Sequence, residues 1–513
     1  MMMRALFMAL VMAVATPAFA DPDTAKADDE KTETRPVPDP VMFESKHSGV
    51  FGGQKIAYHV EAGETYIANE EGDPAASLFT LSYIRDNAGA DRPVTFVFNG
   101  GPGSASVWLN LGLLGPKRVE VASDADADDG AAPYSLVDNE QSMLNVTDLV
   151  FIDPVGTGYS RVVGDGENAD YWNEDGDASS IAEFIRIWIT KHKRWNAPKY
   201  LAGESFGTTR AAYLANELTT GDVDIALNGI VLISQALDYE GSTSVDDNVY
   251  SYITYLPSMA AAAQYHGKAG QGIAQADFLG EARAFARDEY GPALLKGDRL
   301  SPDERAHIRD RLAYFTGLDP VYIERSSLRI LMPRFQKELL RDKGLALGRL
   351  DGRYAGDEAD DIAETPEDDA ASYFVSSAYS ALMNQYLSTD LGVEMDRPYM
   401  VSSSEAGSQW DFDDKAEGES WEPHYVNVGR QLTTAMRHNT ALKVMVASGY
   451  YDLICPFFDA EITFGRYGIP QDRVALTYYQ GGHMMYLNDG ARDALSTDIR
   501  TFYSGKLKDA RPD

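Results

Sequence analysis

Ser205 has the type and the surroundings of a catalytic nucleophile. It lies at the centre of the sequence GESFG, residues 203–207, which matches the G-x-S-x-G pattern. Residues 199–202 before it predict a short buried strand, and residues 208–218 after it predict a helix. In that setting the flanking glycines permit a strained turn, with the hydroxyl at a helix N-terminus where amide dipoles stabilise negative charge. These five residues alone are equally compatible with an ordinary glycine-bounded turn.

Two further residues have types that would make this serine reactive. A serine hydroxyl is a poor nucleophile at neutral pH, so it needs a base to accept its proton and a carboxylate to orient the base. Asp452 follows a predicted strand at 442–449, and His483 follows a predicted strand at 473–479. The chain order Ser205, Asp452, His483 is that of the α/β-hydrolase fold. We therefore predict that these three residues form a catalytic triad.

Other histidines and carboxylates fit these roles less well. His424 and His438 do not follow a predicted strand with flanking glycines, and Asp459 lies inside a predicted helix. His59 alternates with apolar residues in a predicted strand, which favours packing or exposure to solvent over catalysis. None of the eight histidines belongs to a metal-binding pair such as H-E-x-x-H, so neither a metal nor another cofactor is predicted.

A glycine-rich loop completes the candidate chemistry. The sequence NGGPG, residues 99–103, follows a predicted central strand at 94–98. Its glycines allow backbone amides to approach a ligand closely. In an α/β-hydrolase this loop supplies one N–H of an oxyanion hole, and the residue after the nucleophile, here Phe206, supplies the other.

The order of the elements predicts an α/β protein with a mostly parallel central sheet. An antiparallel meander is predicted at 45–84, and a capping box at Ser180 and Glu183 predicts a helix that joins two central strands in a β-α-β unit. The predicted central strands occupy residues 94–98, 148–153, 199–202, 228–234, 442–449 and 473–479.

A helical insertion interrupts this core. The core consists of residues 45–239 and 391–513, and residues 240–390 have helical patterns that predict a cap. Within the cap, Ser301 and Glu304 form a capping box with proline at the first helical position. A cap beside a hydrolase sheet shapes the pocket and excludes water.

The first residues have the pattern of a secretory signal peptide. Arg4 precedes an apolar run that ends in an A-x-A cleavage site, so residues 1–20 are predicted to be removed, which leaves no membrane-spanning segment. Residues 21–44 predict a disordered acidic leader. Because Cys455 is the only cysteine, no intramolecular disulfide can form, as is permissible in a bacterial periplasmic protein. We predict an exported protein, periplasmic or secreted.

Composition and charge exclude several classes of protein. Of the 513 residues, 44% are hydrophobic and 11% aromatic, which excludes general disorder. The formal net charge of -34 would repel nucleic acid and anionic membrane surfaces, so neither is a predicted partner. The acidic stretch at 124–130 is predicted to be a solvated loop, because Ser135 stands where a calcium loop needs glutamate.

Together these motifs resemble the serine carboxypeptidase family, peptidase family S10. The resemblance covers the core from about residue 51 to residue 503. It implies an α/β-hydrolase fold with a cap, and an enzyme that removes single residues from the C-termini of peptides. The matching stretches are NGGPG at 99–103, DPVGTGYS at 153–160, GES at 203–205, the segment from Asp452 through Cys455, and GGHM at 481–484.

The resemblance also implies roles for individual residues. It assigns Gly101 and Phe206 to the oxyanion hole, and Asn99 and Glu204 to binding of the substrate's C-terminal carboxylate. Two carboxyl groups share a hydrogen bond only if one carries a proton, so Glu204 is expected to titrate at high pH for a glutamate. The implied substrates are peptides with a free C-terminal carboxylate.

The sequence departs from the family pattern in two ways. The family usually has cysteine where Ser104 stands, and disulfides that a chain with one cysteine cannot form. It often has a second glutamate where this chain has Leu113 and Leu114, which weakens the case for a strongly acidic pH optimum. Cys455 corresponds to a family cysteine near the pocket and is predicted to be a packed thiol rather than a nucleophile.

Two alternative functions remain open. The same triad and oxyanion hole would serve a serine esterase or acyltransferase on the α/β-hydrolase scaffold. The second alternative is a non-catalytic exported binding protein with this fold, against which the joint presence of Ser205, Asp452 and His483 argues.

Overall fold

The structure is a computed structural model that describes residues 37–122, 125, 130–221, 224–372, 375–412 and 425–511. The predicted signal peptide, most of the predicted leader and most of the acidic stretch at 124–130 lie outside these ranges. Within them, every helix is too short or too polar to cross a bilayer.

A ten-stranded sheet forms the centre of the fold, in the order β1-β2-β3-β7-β4-β9-β10-β13-β14 with β8 paired to β3, and β5-β6 and β11-β12 form separate two-stranded sheets. The strands are β1 (Met42–Phe51), β2 (Gln54–Ala68), β3 (Pro74–Arg85), β4 (Val94–Phe98), β5 (Lys117–Glu120), β6 (Ser135–Asp138), β7 (Asp148–Ile152), β8 (Arg161–Val162), β9 (Lys199–Ser205), β10 (Gly229–Gln235), β11 (Leu345–Leu347), β12 (Ala355–Asp357), β13 (Lys443–Gly449) and β14 (Val474–Tyr479).

The strands from β7 to β14 along this order are parallel, and the meander β1–β3 joins them antiparallel. The predicted mostly parallel central sheet is therefore confirmed. All five residues of β4 are buried, because a parallel strand at the centre of such a sheet is covered on both faces. The carboxyl ends of β4, β9, β13 and β14 meet at one edge, where α/β proteins place their binding sites.

Helices cover both faces of the sheet and form the cap. On one face Val97 and Met445 pack with residues of α10 and α14, and on the other Phe96 and Val446 pack with residues of α2, α3 and α12. The helices are α1 (Val107–Leu109), α2 (Glu174–Lys191), α3 (Phe206–Thr220), α4 (Val249–Tyr265), α5 (Gln275–Phe285), α6 (Gly291–Lys296), α7 (Pro302–Thr316), α8 (Pro320–Arg325), α9 (Met332–Glu338), α10 (Val375–Gln385), α11 (Ser404–Gln409), α12 (Gly429–His438), α13 (Phe457–Arg466) and α14 (Asp489–Tyr503).

The cap helices share an apolar cluster with the core. Residues of α4 to α9 pack together and against Phe457 of α13. Arg283 of α5 also forms an ion pair with Glu461 of α13, with 2.8 Å between nitrogen and oxygen. At the start of α7 the predicted capping box is present, since the Glu304 amide donates to the Ser301 hydroxyl and the Ser301 amide donates to the Glu304 carboxylate.

Three local predictions were wrong. Strand β1 begins at Met42, inside the predicted leader, because an edge strand with one solvated face is as polar as a loop. Helix α2 begins at Glu174, capped by Asn173, so Ser180 lies within the helix and its hydroxyl donates to a backbone carbonyl instead of capping. The hairpin β11–β12 interrupts the predicted helical cap.

Candidate active site

A cavity of about 380 Å³ opens at the carboxyl edge of the parallel strands. Loops after β4 and β14, the turn at the end of β9, and parts of the cap meet there. The lining residues are Asn99, Gly100, Gly101, Ser104, Trp108, Glu204, Ser205, Arg349, Leu350, Ser372, Val375, Ser376, Ser402, Ile454, His483 and Met484. Five of the seven predicted site residues line this cavity, namely Asn99, Gly101, Glu204, Ser205 and His483. Phe206 directly follows Ser205, and Asp452 contacts His483 from behind.

Ser205 occupies a sharp turn between β9 and α3. It is the last residue of β9 and directly precedes the first residue of α3. Its φ is 59° and its ψ is -130°, a backbone conformation that costs energy for a residue with a side chain. A Cβ atom at Gly203 would lie 2.1 Å from the Gly207 carbonyl oxygen, so this turn closes only with glycine at position 203.

The 99–101 loop lies against the N-terminus of α3. A Cβ atom at Gly100 would lie 2.5 Å from the Phe206 nitrogen, so only glycine allows this approach. Gly101 has a φ of 111°, which is unfavourable for other residues. Asp153 fixes the backbone that follows this loop, because its carboxylate accepts a 2.8 Å hydrogen bond from the Ser106 amide. Gly101 and Ser205 line the same cavity, and Phe206 directly follows Ser205, so both residues predicted to form an oxyanion hole lie close to the serine.

Asp452 and His483 form a buried hydrogen-bonded pair. His483 Nδ1 and Asp452 Oδ2 are 2.9 Å apart, and Asp452 Oδ1 accepts from the amides of Ile454 at 2.8 Å and Cys455 at 2.9 Å. The His483 amide donates to Leu350 O at 2.6 Å, which fixes the loop that carries the imidazole. An imidazole held by a carboxylate at Nδ1 presents Nε2 as a base.

The charge of Asp452 controls the protonation of His483. Burial alone would lower the pKa of the imidazole, but the Asp452 carboxylate and its hydrogen bond outweigh burial and raise that pKa well above its usual value. The arrangement stabilises the imidazolium that forms when a serine gives up its proton.

Asp452, Cys455 and His483 also form the one group of possible metal ligands within the described ranges, with their ligand atoms within 4.8 Å of one another. Burial raises the pKa of the Cys455 thiol to about 11, so the sulfur carries its proton at neutral pH. The Asp452 oxygens are already occupied by His483 and by two amides. These contacts suit a hydrogen-bonded acid and base better than a metal site.

Glu204 is buried beside the serine and is hydrogen-bonded to Asn99. Asn99 Nδ2 and Tyr486 Oη, at 3.0 Å, both donate to Glu204 Oε2, while Glu204 Oε1 has no partner among the described residues. Asn99 is fixed in turn, because its Oδ1 accepts from the Leu109 amide at 3.0 Å. Burial raises the pKa of Glu204 to about 7, although His483, Tyr486 and Asn99 act to lower it. Near neutral pH this carboxyl group therefore exists in both protonation states.

Sequence reasoning missed Tyr486 and Arg349 as parts of this site. Tyr486 lies three residues after His483, and that spacing was the only available signal. Arg349 lies in the connection between β11 and β12, which was predicted to be helical. Of the rival histidines, His438 is exposed at the end of α12, and His424 lies outside the described ranges.

Part of the chain is similar to known serine carboxypeptidases. Residues 55–293 match the family model described as serine carboxypeptidase, Peptidase_S10. The chain is 30% identical to serine carboxypeptidase-like 16 of Arabidopsis thaliana over 36% of its own length and 42% of that protein. It is 32% identical to the pheromone-processing carboxypeptidase KEX1 of Cryptococcus gattii over 36% of its own length and 26% of that protein. These matches span less than half of the relatives.

A solved structure shares the fold over a longer range. The prohormone-processing carboxypeptidase KEX1 from Saccharomyces cerevisiae superposes with a TM-score of 0.51, covering 87% of this chain and 91% of that chain at 16% identity. At this identity the likeness supports the α/β-hydrolase fold and nothing about substrates.

Proposed function

We propose that the chain, which is similar to the serine carboxypeptidase family, peptidase family S10, over residues 55–293, is a serine carboxypeptidase that releases C-terminal amino acids from peptides. The observation that carries the proposal is one cavity that holds Ser205 and His483 together with the buried Asn99–Glu204 pair. The first two residues suit acyl transfer, and the pair suits recognition of a carboxylate.

In the proposed reaction His483 accepts the proton of Ser205 as the serine attacks the last peptide carbonyl. The amides of Gly101 and Phe206 stabilise the oxyanion, and the leaving amino acid takes a proton from His483. Water activated by His483 then hydrolyses the acyl-enzyme. Asp452 keeps the imidazole in the tautomer that both steps need.

Recognition of the chain end is assigned to Asn99 and Glu204. An exopeptidase rejects internal bonds if it has a polar group that is left without a partner unless a terminal carboxylate is present. A protonated Glu204 donates to that carboxylate through Oε1, the oxygen that has no partner among the described residues. No cofactor is required for these steps.

The proposal is tested with N-blocked dipeptides, their C-terminal amides and a simple ester, assayed between pH 4 and 8. We expect release of the last residue from the free acids only, and loss of that release in Ser205→Ala. Cleavage of the ester without cleavage of the peptides would instead assign a serine esterase or acyltransferase. No labelling by an organophosphate serine reagent would indicate a binding protein.

We also propose export from the cell, to the periplasm or beyond. The support is the signal-like pattern of residues 1–20, which lies outside the described ranges, and the single cysteine. Fractionation of expressing cells, with N-terminal sequencing of the mature chain, tests this. A chain that stays in the cytoplasm with residues 1–20 intact would contradict it.

A further inference from the structure

Arg349 places a positive charge at the cavity that Ser205 lines. Its side chain lines the cavity with Ser205 and is exposed. It forms no ion pair and no side-chain hydrogen bond with any residue that the structure describes. It is also the one lysine or arginine among the residues that line the cavity.

The backbone at this position is fixed to the catalytic loops. Asp369 accepts hydrogen bonds of 2.9 Å from the amides of both Arg349 and Leu350. The Arg349 carbonyl accepts from the Leu453 amide at 3.1 Å, and the Leu350 carbonyl accepts from the His483 amide at 2.6 Å. The backbone of Arg349 is therefore hydrogen-bonded, directly or through Leu350, to the loops that carry Asp452 and His483.

The charges around Arg349 leave it available to a substrate. The only carboxyl group that lines the same cavity is Glu204, which is buried and bonded to Asn99 and Tyr486. An adjoining cavity of about 390 Å³ is lined by Arg349 together with Glu367, Asp368 and Asp369, whose nearby negative charge partly screens the arginine. None of these three carboxylates lies within 4.0 Å of the guanidinium.

We propose that Arg349 binds a carboxylate in the side chain of one of the two substrate residues that flank the scissile bond. The planar guanidinium can donate two parallel hydrogen bonds to a carboxylate, and Ser372 and Ser376 line the same cavity with further hydroxyl groups. The chain's net charge of -34 would otherwise repel acidic peptides. The inference rests on the proposed function and adds an acidic side-chain preference to it.

The test uses two series of N-blocked dipeptides, in which glutamate, glutamine or lysine occupies either the last or the preceding position. We expect kcat/KM for glutamate to exceed that for glutamine by about tenfold in one series, which corresponds to roughly 1.4 kcal/mol. Arg349→Gln should remove this ratio, Arg349→Lys should retain part of it, and Arg349→Glu should favour lysine. The charge-matched control is Arg309→Gln, because Arg309 pairs with Asp310 on α7 and lies outside the cavity.

Several outcomes would overturn the inference while the proposed function stands. One is equal rates for glutamate and glutamine in both series of the wild type. Another is an equal loss for both peptides in Arg349→Gln, which would assign the arginine to the terminal carboxylate. If no peptide is cleaved, the proposed function fails, and calorimetric binding of the same peptides to Ser205→Ala and Ser205→Ala/Arg349→Gln decides the inference separately. The inference is then contradicted if both variants bind the glutamate and glutamine peptides equally well.

Discussion

The cavity has two unlike walls. The wall on the sheet side is formed by Glu204, which is 3% exposed, and by His483, which is hydrogen-bonded to the fully buried Asp452. Both Glu204 and Asp452 are held by several hydrogen bonds. The wall on the cap side carries the exposed Arg349 and the serines 372 and 376. A buried polar network keeps its geometry because any unpaired member is costly, whereas an exposed side chain is free to adapt to a ligand. We infer that the sheet-side wall performs the chemistry and binds the terminal carboxylate, whereas the cap-side wall selects the substrate's side chain.

The largest expected effect is the loss of the base on the sheet-side wall. His483→Ala should lower kcat by about 10⁶-fold, because His483 is the one imidazole among the residues that line the cavity and Glu204 is already bonded to Asn99 and Tyr486. His438→Ala is the matched control, since His438 is exposed at the end of α12. Steady-state assays of a blocked dipeptide measure both. A His483→Ala enzyme within a hundredfold of wild type would show that another base serves the serine.

Asp452→Asn tests whether the carboxylate orients the base. An asparagine can still accept from the Ile454 and Cys455 amides, but its NH₂ group would face His483 Nδ1. The imidazole would then carry its proton on Nε2 and could not accept one from serine, so kcat should fall by about 10⁴-fold. Thermal unfolding of the variant checks that the fold survives. A loss of less than tenfold would contradict the orienting role.

Substitution of Arg210 tests how much the buried residues behind the sheet-side wall contribute to stability. Its guanidinium is fully buried, forms an ion pair with Asp177 and donates to the Asn99 carbonyl. Arg210→Met leaves the Asp177 charge buried without its partner, and should lower the free energy of unfolding by about 3–5 kcal/mol. Denaturant unfolding measures this.

The matched comparison lies on the cap surface. The Arg334–Glu364 pair has side chains that are 30% and 75% exposed, so Arg334→Met should cost no more than about 1 kcal/mol. The double variant Asp177→Asn/Arg210→Met should recover part of the stability that Arg210→Met loses. Equal losses for Arg210→Met and Arg334→Met would show that burial of the Arg210–Asp177 pair does not add to the cost of breaking it.

The sheet-side wall was largely predictable from sequence. Buried runs such as β4 predict central strands, and parallel strands bring their carboxyl ends together, so the residues that follow them must converge. This reasoning led to the loop at 99–103, to Asp452 and to His483, whereas the role of Asn99 was implied by the family resemblance. The chain order of Ser205, Asp452 and His483 then suggested their roles, which remain predictions until the variants are assayed.

The cap-side wall was not predictable in the same way. Strands β11 and β12 have three residues each, too few to show a period, so the hairpin that carries Arg349 was hidden among helical patterns. Contacts between distant residues were equally hidden. At Ser104, where the family resemblance implies a cysteine, the backbone instead pairs with Ser402. That contact joins the residue after the NGGPG loop to a segment almost three hundred positions later in the chain. The sequence around either residue contains no signal that predicts it.

The smallest expected effect concerns Glu204, which is the one titratable group on the sheet side that we assign to binding of the substrate's terminal carboxylate. Burial raises its pKa to about 7, so the carboxyl group is protonated below that pH and donates to the substrate's carboxylate. Above it the anion repels the substrate. For a single titrating group, KM for free-acid dipeptides should be constant at low pH and about tenfold higher at pH 8.

Glu204→Gln should abolish this rise, because a neutral amide keeps a donor at every pH. Glu405→Gln, an exposed change on α11, should leave the rise intact. Measuring KM separately from kcat distinguishes Glu204 from His483, since loss of the imidazole base changes turnover. A wild-type KM that does not change between pH 6 and 8 would show that Glu204 does not bind the carboxylate, and would leave Arg349 as the residue that distinguishes charged substrates.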